Sequence, residues 1–301
     1  MNFSRRQLVL LVALTLVWGL NWPVMKVGVS GWPDAPEPFP PLTFRALSIW
    51  LGLPLLALAL RLMRVPLAVP REHRAELLRL AVPNMVVWHV LLIVALPRLS
   101  SGRAAILGYT MPVFSALWGA LIFRDRLSGR HLLGVAAAGG GAALLLVHEF
   151  TRLAGAPLAA SAVLVAAAVW AYGTHRLRRS TLPLSTMTVA FWMTVITGVC
   201  VGLGAVLLEA PRWRWPALHT ALPIAYNAVG VFAFAQVVWL VLARQLPPVA
   251  SSVSVMLIPV LGVFSGALGL GEAVHWQDFA AVALIVLAIA AVLLPARPRV
   301  A

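Results

Sequence analysis

One lysine, one cysteine and nine acidic residues are all that this chain of 301 residues holds of three common chemistries. Charged side chains make up 11% of it, against roughly a quarter in a soluble globular domain. That scarcity excludes an ordinary soluble fold. The single Cys200 excludes an intrachain disulfide and, set in an apolar run, reads as a small core residue. The only lysine, Lys26, follows Met25, so no G-x-x-x-x-G-K-[ST] loop exists and the chain has no ATPase site of its own. No Cys/His cluster has zinc spacing, G-x-S-x-G is missing, and H-E-x-x-H is absent, since His148-Glu149 is followed by Phe150, Thr151 and Arg152. No enzyme, metal or cofactor is expected.

What is present is apolar. Hydrophobic residues make up 61% and the mean hydropathy is +0.94, so the partner of this surface is a lipid bilayer. The net charge of +14 does not read as a nucleic-acid footprint, because the basic residues fall in short segments between apolar runs. Runs bounded by Arg, Pro or Gly predict ten membrane helices near 8–29, 40–60, 78–97, 102–123, 131–148, 157–175, 184–208, 220–243, 249–270 and 277–295.

SRRQLVL at Ser4–Leu10 is similar to a twin-arginine or Sec signal. No A-x-A site follows it and the apolar segments continue, so Arg5 and Arg6 are expected to anchor a first helix. With that end in the cytoplasm, sixteen of the 23 basic residues fall inside and seven, including Lys26, Arg45 and Arg103, fall outside or on its flanks. Both termini are therefore expected in the cytoplasm of a bacterial inner membrane protein. GWPDAPEPFPP at Gly31–Pro41 holds Asp34 and Glu37 but no basic residue, which suits an outer loop.

Two distant stretches match. A constant shift of 147 carries Pro112 onto Pro259, Gly119 onto Gly266, Asp125 onto Glu272, Leu99 onto Leu246 and His89 onto Gln236. Five helices per half then predict an all-α integral membrane fold of ten transmembrane helices in two inverted five-helix repeats, 1–150 and 151–301. An odd number of spans sends the second copy into the bilayer from the opposite side, the layout of many secondary transporters.

WGLNWPVMKVG near the start resembles the first helix of EamA-type members of the drug/metabolite transporter superfamily. So does the S-x-x-x-A-x-L-x-x-x-x-P pattern of Ser101, Ala105, Leu107 and Pro112, followed by Asp125, with a second copy at Pro259 and Glu272. In character the chain is closest to the YddG-type exporters of aromatic amino acids. The resemblance implies export, the duplicated ten-helix layout and a small aromatic or otherwise amphipathic substrate. A broad drug/metabolite exporter, an importer and a channel-like facilitator stay open.

Polar side chains in a bilayer core are costly unless they face protein or water, so their positions mark the interior. Trp18, Asn21, Trp22 and Met25 recur at helical spacing as one stripe. Pro23 removes a backbone hydrogen bond and is expected to kink the helix just beyond it, and Lys26 is expected to snorkel to the outer interface. His89 beside Trp88, its repeat equivalent Gln236, and Trp239 one turn on mark two helices across one cavity. Tyr109, Trp170, Thr174, Ser251 and Ser254 extend the set. The substrate-binding candidates are Trp18, Asn21, Trp22, His89, Tyr109, Trp170, Gln236, Trp239 and Ser251. Asn84, Tyr226 and Asn227 lie nearer helix ends and read as interfacial. Gly262 and Gly266 form a G-x-x-x-G pair expected to serve packing within a monomer. No Asp or Glu falls mid-span, which argues against a dedicated antiporter of cationic drugs and suits neutral or zwitterionic molecules bound by stacking and burial.

Overall fold

The computed structural model describes residues 4–124, 129–151, 156–245 and 248–293. Asp125 and Leu246, and the side chains of Ser251 and Ser254, lie outside the described residues. Seven helical stretches among the described residues are long and apolar enough to cross a bilayer: Arg5–Ser30, Pro41–Leu62, Arg71–Arg98, Ser101–Leu121, Pro157–Arg178, Thr186–Arg212 and Leu218–Trp239. Leu51, Leu58, Leu207 and Leu268 stand exposed on the outside of the bundle, as lipid-facing side chains do. The chain is a multi-pass membrane protein.

Helix α1 (Arg5–Ser30) opens with a capping box, in which Ser4 and Gln7 each accept from the other's backbone N–H. It continues unbroken through Pro23 and stops at Gly31, whose φ of 78° suits glycine. The outer loop is not wholly irregular. Strands β1 (Gly31–Trp32) and β2 (Ala35–Pro36) pair antiparallel, Gly31 with Pro36 and Trp32 with Ala35. Helix α2 (Pro41–Leu62) begins on proline, which needs no N–H partner there.

The third rod is composite. A 3-10 turn leads into α3 (Arg74–Ala81), then a π-helical segment over Val82–Val86, then α4 (Val87–Ala95). The next rod was expected as one helix and is two, α5 (Ser101–Gly108) and α6 (Met111–Leu121). Pro112 has no N–H to return to Gly108, and the Thr110 hydroxyl donates to the Leu107 carbonyl at 2.7 Å, so the chain breaks at Tyr109 and Thr110. Then follow α7 (Gly129–Thr151), α8 (Pro157–Arg178), α9 (Thr186–Glu209) and α10 (Leu218–Ala225). A second π-helical segment, Tyr226–Ala235, joins α10 to α11 (Gln236–Gln245), and α12 (Pro248–Leu270) and α13 (Trp276–Leu293) complete the order.

Small residues let α12 lie close against α1 and α5. A Cβ on Gly262 would come within 2.7 Å of the Ala105 Cβ, one on Gly102 within 2.9 Å of the Val263 Cα, and one on Gly19 within 2.6 Å of the Leu261 Cβ. The Gly262 position thus serves contact inside the chain, as its spacing predicted.

Ion and hydrogen-bond ties gather at the end of the bundle that carries the β hairpin. The Glu209 carboxylate accepts from the Leu42 and Thr43 N–H groups and the Thr43 hydroxyl, at 2.8 to 3.1 Å, and so caps α2 from the end of α9. Glu272 does the same for α5, accepting from Ser101 N–H at 2.8 Å and its hydroxyl at 2.8 Å. Arg103 pairs with Asp278 at 2.8 Å, both buried. Lys26 does not snorkel: its ammonium donates to the Leu96 and Pro97 carbonyls at 3.2 and 2.8 Å, closing the end of the third rod. Carbonyls left over at a helix end are a better partner for it than lipid headgroups.

Candidate functional site

The stripe on α1 faces inward. Asn21, Trp22 and Met25 are buried, and Trp18 is half-buried. Each tryptophan meets one aromatic ring from another helix. Trp18 lies against Trp239 of α11, ring centroids 5.6 Å apart, and Trp22 meets Tyr109 edge-on at 6.3 Å. Tyr109 sits at the break between α5 and α6. Beside it, a Cβ on Gly108 would lie 3.0 Å from both the Trp22 and the Trp88 ring edges, so the absent side chain makes room for two indoles.

His89 approaches from α4. Its ring centroid is 5.6 Å from that of Phe232, and its Nδ1 is buried without a hydrogen-bond partner among the described residues. The Asn21 Oδ1 is in the same state. Buried polar atoms of native proteins are nearly always paired, so these two stand out as candidate hydrogen-bonding positions.

Two corrections concern the polar residues around them. Arg45, counted on the outer flank from its sequence position, is an interior residue only 2% exposed. Its Nη1 donates to Asn227 Oδ1 at 3.2 Å and its Nη2 lies 2.7 Å from the Met25 sulfur. Asn84 and Asn227, read as interfacial, are buried as well; Asn84 donates to the Thr174 hydroxyl at 2.9 Å and Asn227 back to the Pro223 carbonyl at 3.0 Å. The Tyr226 hydroxyl donates to the Val17 carbonyl at 2.8 Å, tying the second π segment to α1. One signal for Arg45 is available in the sequence. It falls a full turn inside an apolar run that starts with Pro40-Pro41, and the run itself holds no carboxylate.

The two π segments lie just ahead of two candidate positions, Val82–Val86 ahead of His89 and Tyr226–Ala235 directly ahead of Gln236. Wide turns of this kind are frequent at functional sites.

The remaining candidates are less closely joined. Gln236 is half-buried, one turn beyond Phe232. Trp170 is half-buried on α8, where its carbonyl accepts from the Thr174 hydroxyl, and no ring contact links it to the cluster among the described residues. Ser251 belongs to α12, and its side chain lies outside the described residues. Among the described residues no group of three or more His, Cys, Asp or Glu side chains could hold a metal ion.

Membrane-length apolar helices packed around buried aromatic rings and unpaired polar atoms define a multi-pass membrane protein. The chain belongs to the EamA-like transporter family, whose model matches residues 5–147 and again residues 157–294. It is 29% identical over 298 residues to the uncharacterized inner membrane transporter YedA of Escherichia coli, covering 97% of this chain and 93% of that one. It is 26% identical over 298 residues to a probable amino-acid metabolite efflux pump of the same organism, with 94% and 93% covered. The uncharacterized transporter YoaV of Bacillus subtilis is 24% identical over 266 residues, with 87% and 88% covered. A crystal structure 20% identical superposes with a TM-score of 0.67 over 98% of this chain and 100% of that one, which shows a shared fold. Family and relatives alike point to a transporter and away from an enzyme.

Proposed function

We propose that this chain is a secondary exporter of small amphipathic metabolites, aromatic amino acids first among them, working by alternating access in a bacterial inner membrane. In this reading ten helices form two inverted five-helix halves, 1–150 and 151–301. Both termini face the cytoplasm, the β hairpin faces outward, and the protein acts as a monomer. Trp18, Asn21, Trp22, His89, Tyr109, Trp170, Gln236, Trp239 and Ser251 line the path.

The observations that carry the reading are the pairing of Trp18 with Trp239 and of Trp22 with Tyr109, and the idle Asn21 Oδ1 and His89 Nδ1 on the same candidate helices. Clustered rings bind an aromatic side chain by burial, and the idle atoms supply hydrogen bonds to its polar end. The duplicated halves are supported by the double family match and by the two π segments, since a shift of 147 carries 82–86 into 226–235. The efflux reading is supported by the name of one relative and the membrane by that of another.

Counterflow of labelled tryptophan and phenylalanine in proteoliposomes tests it. Wild type is expected to show saturable exchange, falling about tenfold or more in both Trp18→Ala and His89→Ala, each of which removes one contact worth on the order of 1 kcal/mol together with the burial around it. Exchange intact in both variants would discard the site and keep the substrate. Unsaturable flux would favour a channel-like facilitator, and exchange of lipophilic drugs without amino acids would favour a broad exporter.

A further inference from the structure

Arg45 is the largest fully buried side chain of the molecule's described part, and nothing negative accompanies it. Its two contacts are the Asn227 carboxamide oxygen and the Met25 thioether, both neutral. Its Nε is buried without a partner, and no acidic side chain pairs with it among the described residues. The Phe232 ring, 5.8 Å from the guanidinium carbon, offers only its face. A guanidinium keeps its charge, and a buried, unpaired one is among the costliest groups a protein can hold. Elsewhere in the same bundle the chain provides carboxylates freely: Asp278 for Arg103, Glu209 and Glu272 for helix ends. At Arg45 it does not.

We propose that Arg45 binds the carboxylate of the transported molecule, so that the protein takes organic anions and zwitterions and refuses the corresponding amines. The geometry fits one molecule across the site. Met25, which touches Arg45, is four residues beyond Asn21 on α1, about one turn or 6 Å along the axis. In this proposal a carboxylate held at Arg45 leaves an attached ammonium to the Asn21 Oδ1, one turn along α1, an acceptor with no partner of its own among the described residues. The rest of the molecule then points down the stripe toward Trp22 and Trp18. His89 and Arg45 both contact the Phe232 ring, and the His89 Nδ1 is idle as well. Because guanidinium and carboxylate match as planar forks, the substitution Arg45→Lys keeps charge but loses the paired geometry.

The ring-binding half of this picture rests on the transport reading above; the carboxylate half does not. The test therefore uses two pairs of ligands that differ only by a carboxylate, phenylalanine with phenethylamine and leucine with isoamylamine. Binding to the purified full chain in detergent is followed by thermal stabilisation and by equilibrium dialysis of labelled ligand. Wild type is expected to bind the carboxylate member of at least one pair 30-fold or more tighter than its amine, which corresponds to the loss of one partner from a desolvated charge pair. Arg45→Met is expected to abolish that preference and Arg45→Lys to retain part of it.

Preference for leucine alone would keep the Arg45 site and discard the aromatic substrate class. Equal binding of amine and amino acid by wild type would overturn the Arg45 assignment. So would an undiminished preference in a folded Arg45→Met variant, or failure of wild type to bind either carboxylate. The wild-type comparison alone can overturn the assignment, and should Arg45→Met misfold, an undiminished preference in folded Arg45→Lys overturns it as well, whereas a reduced one supports it.

Discussion

Gly173→Val is expected to lower the midpoint of thermal unfolding in detergent more than any other single change considered for this chain. A Cβ at Gly173 would lie 2.6 Å from the Asn84 backbone nitrogen and 2.7 Å from its Cα. The obstacle is backbone on both counts, so no rotamer change relieves it. Asn84 is in the middle of the π segment Val82–Val86, and its carboxamide is bonded to Thr174, the neighbour of Gly173. Two helices are thus locked backbone to backbone with a hydrogen bond beside the contact. Overpacking of this kind costs about 1–3 kcal/mol where side chains can adjust, and valine here should reach or pass the top of that range. Gly173→Ala should cost less, in the same direction. Gly139→Ala is the control: nothing lies within 4 Å of a Cβ there, and alanine is the better helix former. A Gly173→Val protein as stable as wild type would mean that α8 does not touch the third rod in this way.

Removal of the Glu272 carboxylate should be nearly as damaging, by a different route. Glu272→Ala deprives the buried Ser101 N–H and hydroxyl of their acceptor, along with the more distant Gly102 N–H at 3.4 Å. Hydrogen bonds to a charged group contribute about 1.5–3 kcal/mol, and donors left buried and unpaired cost more still, so a loss of about 3 kcal/mol is expected. The pattern across variants is more diagnostic than the size. Glu272→Gln keeps one carbonyl acceptor and should fall between Ala and wild type. Ser101→Ala removes one bond and leaves the backbone cap, so it should be the mildest. Thermal unfolding of the three proteins in one detergent orders them, and equal losses for Gln and Ala would show that charge, not acceptor capacity, holds the contact.

The helices were legible because the lipid imposes them. Runs bounded by Arg, Pro or Gly marked rods whose observed limits, such as Arg5–Ser30 and Pro41–Leu62, lie within a few residues of those read from the sequence. The α1 stripe was legible for the same reason, since tryptophan and asparagine at helical spacing must face away from acyl chains. What could not be read were facts about partners. Arg45 looked like a flank because a positively charged residue near a helix start ordinarily reaches water; only Asn227, 182 residues away, and Met25 show that it turns inward. Lys26 looked like a snorkel because its receiving carbonyls, Leu96 and Pro97, belong to another rod. The break at Tyr109 had a local cause in Pro112. A proline inside an apolar run does not by itself announce a break: α1 passes through Pro23 and α12 through Pro259 unbroken.

The π segments carry a different kind of information, that of phase. An α-helix advances about 100° per residue, so each side chain's bearing is fixed by counting from any other on the same rod. A π turn closes its hydrogen bond one residue later and spoils the count. Residues before Val82 and residues after Val86 therefore belong to two helical wheels set at an offset, and the same holds on either side of Tyr226–Ala235. His89 and Gln236 are read from the second wheel, while the stretches that open each rod, α3 and α10, are read from the first. Each rod is thus a composite with two independent bearings, one set at its first end and one at the site. Side chains at the site are free to be aimed without turning the whole rod against its neighbours.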